Sequence, residues 1–234
     1  MLKIYGIEHI LYLLVTILTF SLTLQLIKKK VTTEDKQVKL MKILGLILLL
    51  AILSNRITIC IEDKTIKYFF PSTYCGASSL ALSLGLLFLK RDSKFFHSVS
   101  YTGFIGGMLT LIYPDFLPQD DSLFYPPTIT GLLHHTIMVY IVIVMVMIKY
   151  LEPALKKWYL LPIGLNFYLF YGLILITVFN YEDAMYIFTP AIPGTIFDWF
   201  VLGIIVLSAH GVFLYLWDYF AKRRMAQEVV IKSA

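Results

Sequence analysis

The chain has 234 residues, 59% of them hydrophobic and 15% charged, with a formal net charge of +5. A soluble domain of this length cannot cover so much apolar surface, so the composition excludes a water-soluble protein and leaves one membrane-embedded all-α bundle over residues 1–234. The two cysteines fit no ligand spacing for structural zinc or a redox pair, and neither a metal nor a cofactor is expected.

Seven apolar runs have the roughly 18 to 24 residues that about 30 Å of hydrocarbon requires. The first, near 9–28, has no small-residue cleavage site after it and runs into Lys28, Lys29 and Lys30, so it reads as a retained helix. The second, near 42–61, carries Asn55 and Arg56 about one and a half turns from its end. The third and fourth, near 70–89 and 97–114, are shorter and richer in Ser, Thr and Gly, which places them inside the bundle. A count of six spans follows if the third is re-entrant. The fifth, near 127–149, holds His134 and His135 in a stretch without Asp, Glu, Lys or Arg. Ionisable groups at that depth are expensive and often mark a functional site. The sixth and seventh lie near 157–179 and 195–220. Pro114, Pro118, Pro126 and Pro127 bracket the fourth loop, and Pro190 and Pro193 the sixth.

The loops alternate in charge. One side holds 16 of the 20 basic residues, from Lys28–Lys30 to the stretch after Lys222, and the other holds only Lys3, Arg56, Lys64 and Lys67. That second side carries most of the acids, among them Glu8, Glu62, Asp63, Asp115, Asp120, Asp121, Glu182, Asp183 and Asp198. The positive-inside rule then places the N-terminus outside and the C-terminus inside.

With that orientation His9, Asn55, Arg56, Cys75, His134, His135 and Asp198 all fall in the outer half of the bilayer, which points to a polar cavity there. His97, Asn166 and His210 fall in the inner half. Ser72, Cys75, Ser79 and Ser83 share one helical face, and Thr128, Gly131, His135 and Met138 share another, so the two faces can meet. Gly103, Gly106 and Gly107 read as a close-packing surface.

Cys, His and Arg at one depth suggest acyl transfer. An imidazole takes the thiol proton, a nearby cation stabilises the thiolate, and the thiolate attacks an ester. Arg56 also suits a lipid phosphate. Each residue has a plainer reading. Cys75 is a nucleophile, a disulfide partner of Cys60, or an inert buried thiol. Arg56 snorkels or pairs with Asp198 or Glu62. His9 is solvated at its helix end. Adjacent histidines point about 100° apart on a helix and rarely serve one site, so one of the pair reads as structural, and His135, aligned with Thr128 and Gly131, is the catalytic candidate.

Several short motifs resemble those of the YwaF-type bacterial integral membrane proteins, whose animal relatives are regarded as phospholipid acyltransferases. They are Tyr5 to His9, Asn55-Arg56, Phe70 to Cys75, Tyr101 to Asp115, Leu133-His134-His135, and Met185-Tyr186-Ile187 with Pro190. The resemblance implies a bacterial cytoplasmic membrane, Cys75 as the acyl-carrying residue and His135 as the matched histidine. Thr73 replaces the family's His or Gln before the motif cysteine, and Asp183-Ala184 replaces its Asn-Tyr.

The resulting expectation is a lipid acyltransferase or acyl hydrolase. Cys75 and His135 are catalytic, and Arg56, Asn55, His9 and His134 bind substrate. The partner is a membrane phospholipid or another acyl lipid, not nucleic acid. The rival is a transporter or small-molecule binding protein whose cavity continues to Asn166 and His210.

Overall fold

The computed structural model describes residues 6–114, 117, 122–192 and 194–233. Lys3, Tyr5, Asp115, Pro118, Asp120, Asp121 and Pro193, named above, lie outside the described residues. All regular structure among the described residues is helical: α1 Ile7–Lys30, α2 Glu34–Glu62, α3 Tyr74–Phe88, α4 Lys94–Ile112, α5 Pro126–Met147, α6 Leu160–Thr177 and α7 Trp199–Ser233. Six of these seven are long and apolar enough to cross a membrane, and α3 is the short one.

The helix bounds depart from the apolar runs where charge and capping override hydropathy. The second helix begins at Glu34 rather than near 42, because Glu34 and Asp35 favour a helix N-terminus and the Lys-rich stretch after them continues the helix beyond the apolar run. The third begins at Tyr74 rather than near 70. Pro71 precedes it, and Thr73 caps it by accepting from the Gly76 backbone N–H at 3.3 Å. The seventh runs on to Ser233, past the apolar stretch that sequence alone delimits.

The short α3 sits at the centre, packed on α2, α4 and α5, and eight of its residues are buried. Glycine sets these distances. A Cβ on Gly45 of α2 would stand 2.8 Å from Leu86 Cβ, and one on Gly103 of α4 would stand 2.8 Å from Met138 Sδ of α5. The main core joins Met41 and Leu48 of α2 to Leu82 and Leu86 of α3, Phe96 of α4, and Met138 and Met145 of α5. The outer helices pack more lightly: His9 is the buried residue of α1, and along α7 as far as Arg223 only His210 and Leu214 are buried.

Two ends of the bundle are distinguished by charge: a basic end at the Lys28–Lys30 and Lys90–Lys94 connections, and an acidic end at Glu62 and Asp183. The basic end is knotted by Asp92. Its Oδ1 accepts from His97 Nε2 at 2.8 Å and from the Glu152 backbone N–H at 3.1 Å, and its Oδ2 accepts from Lys157 Nζ. His97 Nδ1 is thereby left to accept from the Tyr101 hydroxyl at 3.3 Å. Burial alone would raise the Asp92 carboxyl, but the hydrogen bonds from Lys157 and His97 outweigh it and hold the pKa below the ordinary carboxylate value. The stability it contributes is therefore fully present above about pH 4, the ordinary carboxylate value, and is lost as pH falls through the lowered folded value. Thermal unfolding in detergent at pH 6 and pH 3 is expected to show a smaller acid-induced drop in Asp92→Asn than in the parent.

Candidate functional site

A cavity of about 330 Å³ lies within the bundle, and Asn55, Arg56, Cys75, His134 and His135 all line it. Five of the six residues expected to form a site thus share one cavity. The sixth, His9, does not line it. His9 is fully buried and donates through Nε2 to the Leu111 carbonyl at 2.8 Å, pinning α1 to the end of α4. The solvated reading fails because α1 packs its first turn against α4 and the α4–α5 connection, where Glu8 also accepts from the Leu123 backbone N–H at 3.0 Å.

Arg56 is held through Asn55. Asn55, only 1% exposed, donates through Nδ2 to the Pro127 carbonyl and to Thr130 Oγ1, both at 3.2 Å, which ties it to the first turn of α5. Its Oδ1 is then free to accept from Arg56 Nη2 at 2.6 Å. Among the described residues no carboxylate lies within ion-pair distance of Arg56, and its buried Nε has no hydrogen-bond partner. Of the plainer readings of Arg56, the pairing with Asp198 or Glu62 is not made. Asp198 instead caps α7, accepting from the Phe200 and Val201 backbone N–H groups at 3.0 Å.

The two histidines stack, with ring centroids 4.0 Å apart, and both face the cavity. This corrects the expectation that adjacent positions serve different places. The Cβ vectors diverge, but the side-chain torsions bring the rings together on a wall wide enough for both. His135 Nδ1 donates to the Gly131 carbonyl at 2.7 Å, one turn back, which leaves Nε2 with the lone pair. His134 Nδ1 pairs with the Ser79 hydroxyl at 3.1 Å, so the polar face of α3 does meet the histidine face of α5.

Cys75 reaches the cavity by another route. Its sulfur lies against Gly106 of α4, where a Cβ would overlap it, and Thr110, one turn on from Gly106, lines the same cavity. The Thr110 hydroxyl donates to the Gly106 carbonyl at 3.0 Å. No hydrogen bond joins Cys75 to either imidazole among the described residues; thiol and histidines line the same cavity. Cys60 and Cys75 are separate thiols, so the disulfide reading is set aside.

The sequence reading missed Thr102, Thr110 and Tyr186, which also line the cavity. Thr102, Gly106 and Thr110 recur at i, i+4 and i+8, a helical stripe that was legible. Tyr186 falls in a motif of the resemblance, but no periodicity assigned it to the cavity, because a folded loop delivers it. Asp183 organises that loop: its Oδ1 accepts from the Ala184, Ile187 and Phe188 backbone N–H groups, and its Oδ2 from the Thr189 N–H and hydroxyl. Met185 and Tyr186 both adopt positive φ, near 56°, and Met185 N–H donates to the Ser72 carbonyl at 2.7 Å. Burial pushes the Tyr186 phenol up, so it presents a neutral hydroxyl. Asp183→Ala is expected to cost roughly 1.5–3 kcal/mol, the worth of hydrogen bonds to a charged group, and to open the loop to protease between 183 and 192. Asp183→Asn keeps one acceptor oxygen and is expected to retain part of that stability.

The cavity does not reach the residues of the rival reading. Asn166 lies on an exposed face and donates to the Pro162 carbonyl at 2.8 Å, while His210 stacks on Tyr101 with centroids 4.4 Å apart. Neither lines the cavity. No group of three or more metal-ligating side chains occurs among the described residues.

Comparison with curated proteins finds no match, and comparison with solved structures finds none either. The profile of the TMEM164 family matches residues 4–221, nearly the whole chain, including every residue that lines the cavity. The chain therefore belongs to the TMEM164 family.

Proposed function

We propose that this protein is a membrane-embedded acyltransferase or acyl hydrolase that forms a thioester on Cys75 at the expense of a phospholipid ester. The observation that carries this reading is the convergence of Cys75, His134, His135, Arg56 and Asn55 on one cavity. His135 Nε2 takes the thiol proton, and the thiolate sulfur bonds to the ester carbonyl carbon. The carbon–oxygen bond to the alcohol breaks, and His135 returns the proton to the departing alkoxide. In the second half an acceptor hydroxyl gives its proton to His135 and attacks the thioester, and the departing thiolate is reprotonated. Water as acceptor makes the protein a hydrolase. Arg56, oriented by Asn55, holds the phosphate of the lipid, and the thiol turns about its Cα–Cβ bond toward the imidazole once substrate is bound.

By the positive-inside rule the acidic end faces away from the cytoplasm, and the cavity serves the outer leaflet. The motif resemblance to YwaF-type proteins favours a bacterial cytoplasmic membrane as the site of action. Absence of Asn166 and His210 from the wall favours a cavity closed toward the basic end over a transport path. The test is mass spectrometry of the purified protein after incubation with a defined phospholipid. An acyl mass on the peptide containing Cys75, removable by hydroxylamine and lost in Cys75→Ser, is expected. Full activity in Cys75→Ser overturns the mechanism.

A further inference from the structure

A thiolate adding to an ester carbonyl turns the carbonyl oxygen into an oxyanion, a charge best received by a hydrogen-bond donor fixed in advance. His135 moves the proton and Arg56 holds the phosphate, so the oxyanion needs a donor of its own. That donor has to stand beside the first turn of α3, since the carbon concerned is bonded to Cys75 Sγ and Cys75 is the second residue of that helix. Tyr186 is fixed there from three directions. The N–H of its neighbour Met185 donates to the Ser72 carbonyl at 2.7 Å, and its own carbonyl accepts from the Trp199 N–H at 3.0 Å. Its ring and that of Tyr74, the residue before Cys75, have centroids 6.2 Å apart. Met185 itself is fully buried where Gly172 of α6 leaves room, since a Cβ on Gly172 would stand 2.9 Å from Met185 Cγ.

Two consecutive bulky residues in the left-handed region are unfavourable, and such strain persists only where the surroundings over-determine it. Here the five donors gathered by Asp183 do so, and the outcome is one phenol on the cavity wall. Its hydroxyl is free to give. Nearby, the Tyr168 hydroxyl pairs with Ser78 at 2.6 Å, Tyr171 donates to the Pro71 carbonyl at 3.1 Å, and Tyr181 donates to the Phe70 carbonyl at 2.9 Å. The Tyr186 hydroxyl makes no hydrogen bond among the described residues. Tyr74, also on the wall, rides an unstrained helix and packs edge-on against Tyr168, with centroids 5.4 Å apart. The helix end adds to the phenol. Thr73 accepts from the Gly76 N–H through its hydroxyl and from the Ala77 N–H through its carbonyl, whereas the Cys75 N–H makes no such bond among the described residues.

The geometry points to Tyr186 as the oxyanion donor of this site: its hydroxyl, together with the Cys75 backbone N–H, hydrogen-bonds the carbonyl oxygen of the acyl group in transfer. As the sulfur–carbon bond forms, the carbonyl π pair moves onto oxygen and is received there, and Tyr186 keeps its proton. The pair returns when the tetrahedral intermediate collapses. The bond to the departing alkoxide then breaks, and the alkoxide takes its proton from His135. The inference rests on Cys75 as the nucleophile but not on which ester supplies the acyl group.

The experiment uses the full chain in detergent and two probes of the same thiol, each followed by mass spectrometry of the peptide containing Cys75. p-Nitrophenyl octanoate acylates the thiol through a tetrahedral oxyanion. Iodoacetamide alkylates it by displacement of iodide at a saturated carbon, with no oxyanion. Tyr186→Phe is expected to slow acylation roughly 10²–10³-fold, the usual loss with one oxyanion donor, while alkylation changes by less than about twofold. The ratio of the two rates therefore falls, which a change in the seat or ionisation of the thiol cannot produce. Tyr74→Phe is expected to leave the ratio unchanged. Melting temperatures report folding, and should Tyr186→Phe not fold, Asp183→Ala frees the loop and is expected to lower the same ratio at least about tenfold. An unchanged ratio overturns the proposal, as do equal losses with both probes, an equal fall in Tyr74→Phe, or a parent thiol that the ester does not acylate. A fallen ratio in a protein that takes no acyl group from phospholipid would refute the lipid substrate and leave the oxyanion donor standing.

Discussion

His135→Ala is expected to slow formation of the acyl adduct by about 10²–10⁴-fold, the usual contribution of a positioned acid–base group. The hydrogen bond from His135 Nδ1 to the Gly131 carbonyl selects the tautomer whose Nε2 can accept a proton, so the imidazole needs no rearrangement before it acts. Alanine removes the only group assigned to move the proton between thiol and leaving alcohol. His134→Ala separates chemistry from packing. It loses the bond to Ser79 and the stacked ring, and is expected to lower the melting temperature while slowing adduct formation far less. The readout is the single-turnover rate at saturating lipid, measured beside the melting curve. Equal rate losses in the two variants would mean that the pair acts through its stacking.

Two glycines provide the second contrast. Gly164→Ala is expected to destabilise the bundle severely, by about 3 kcal/mol or more, at or beyond the upper end of what overpacking costs. The new methyl would run into the Ser98 backbone carbonyl of α4, which cannot move without shifting the helix. Gly106→Ala places its methyl against the Cys75 sulfur instead, the end of a short side chain that can rotate away. It is expected to leave the melting temperature nearly unchanged and to slow adduct formation sharply, because the methyl takes the space in which the thiol turns toward the imidazole. Reversed outcomes would mean that Gly106, not Gly164, sets the helix spacing.

The helices were legible because about 30 Å of hydrocarbon imposes a length and a charge pattern that a sequence displays openly. The clustering of Asn55, Arg56, Cys75, His134 and His135 was legible for a related reason: once spans are placed, depth follows from counting residues. Azimuth does not. The stripe of Ser72, Cys75, Ser79 and Ser83 shows which side chains share a face but not which helix that face meets. Ser79 found His134 on α5, whereas Cys75, one turn away, found Gly106 on α4. His9 was misread because its partner, the Leu111 carbonyl, is 102 residues distant, and a backbone carbonyl leaves no trace in composition. Tyr186 was hidden by a loop whose shape depends on one carboxylate gathering five donors.

The short α3 has a consequence for how the chain enters the membrane. Its 15 residues rise about 22 Å, well below hydrocarbon thickness, and they include three serines and two glycines. Such a segment gains too little from partitioning to insert by itself. Its neighbours remedy this. The extended Phe70–Ser72 stretch completes the span and is bound by the Tyr181 and Tyr171 hydroxyls and the Met185 N–H, all from chain made after α5. The helix that presents Cys75 thus settles only after α6 and the loop behind it have been synthesised. Biogenesis is then expected to be ordered: protease should cut α3 in a nascent chain truncated before Tyr171 and spare it once the α6–α7 loop has been released.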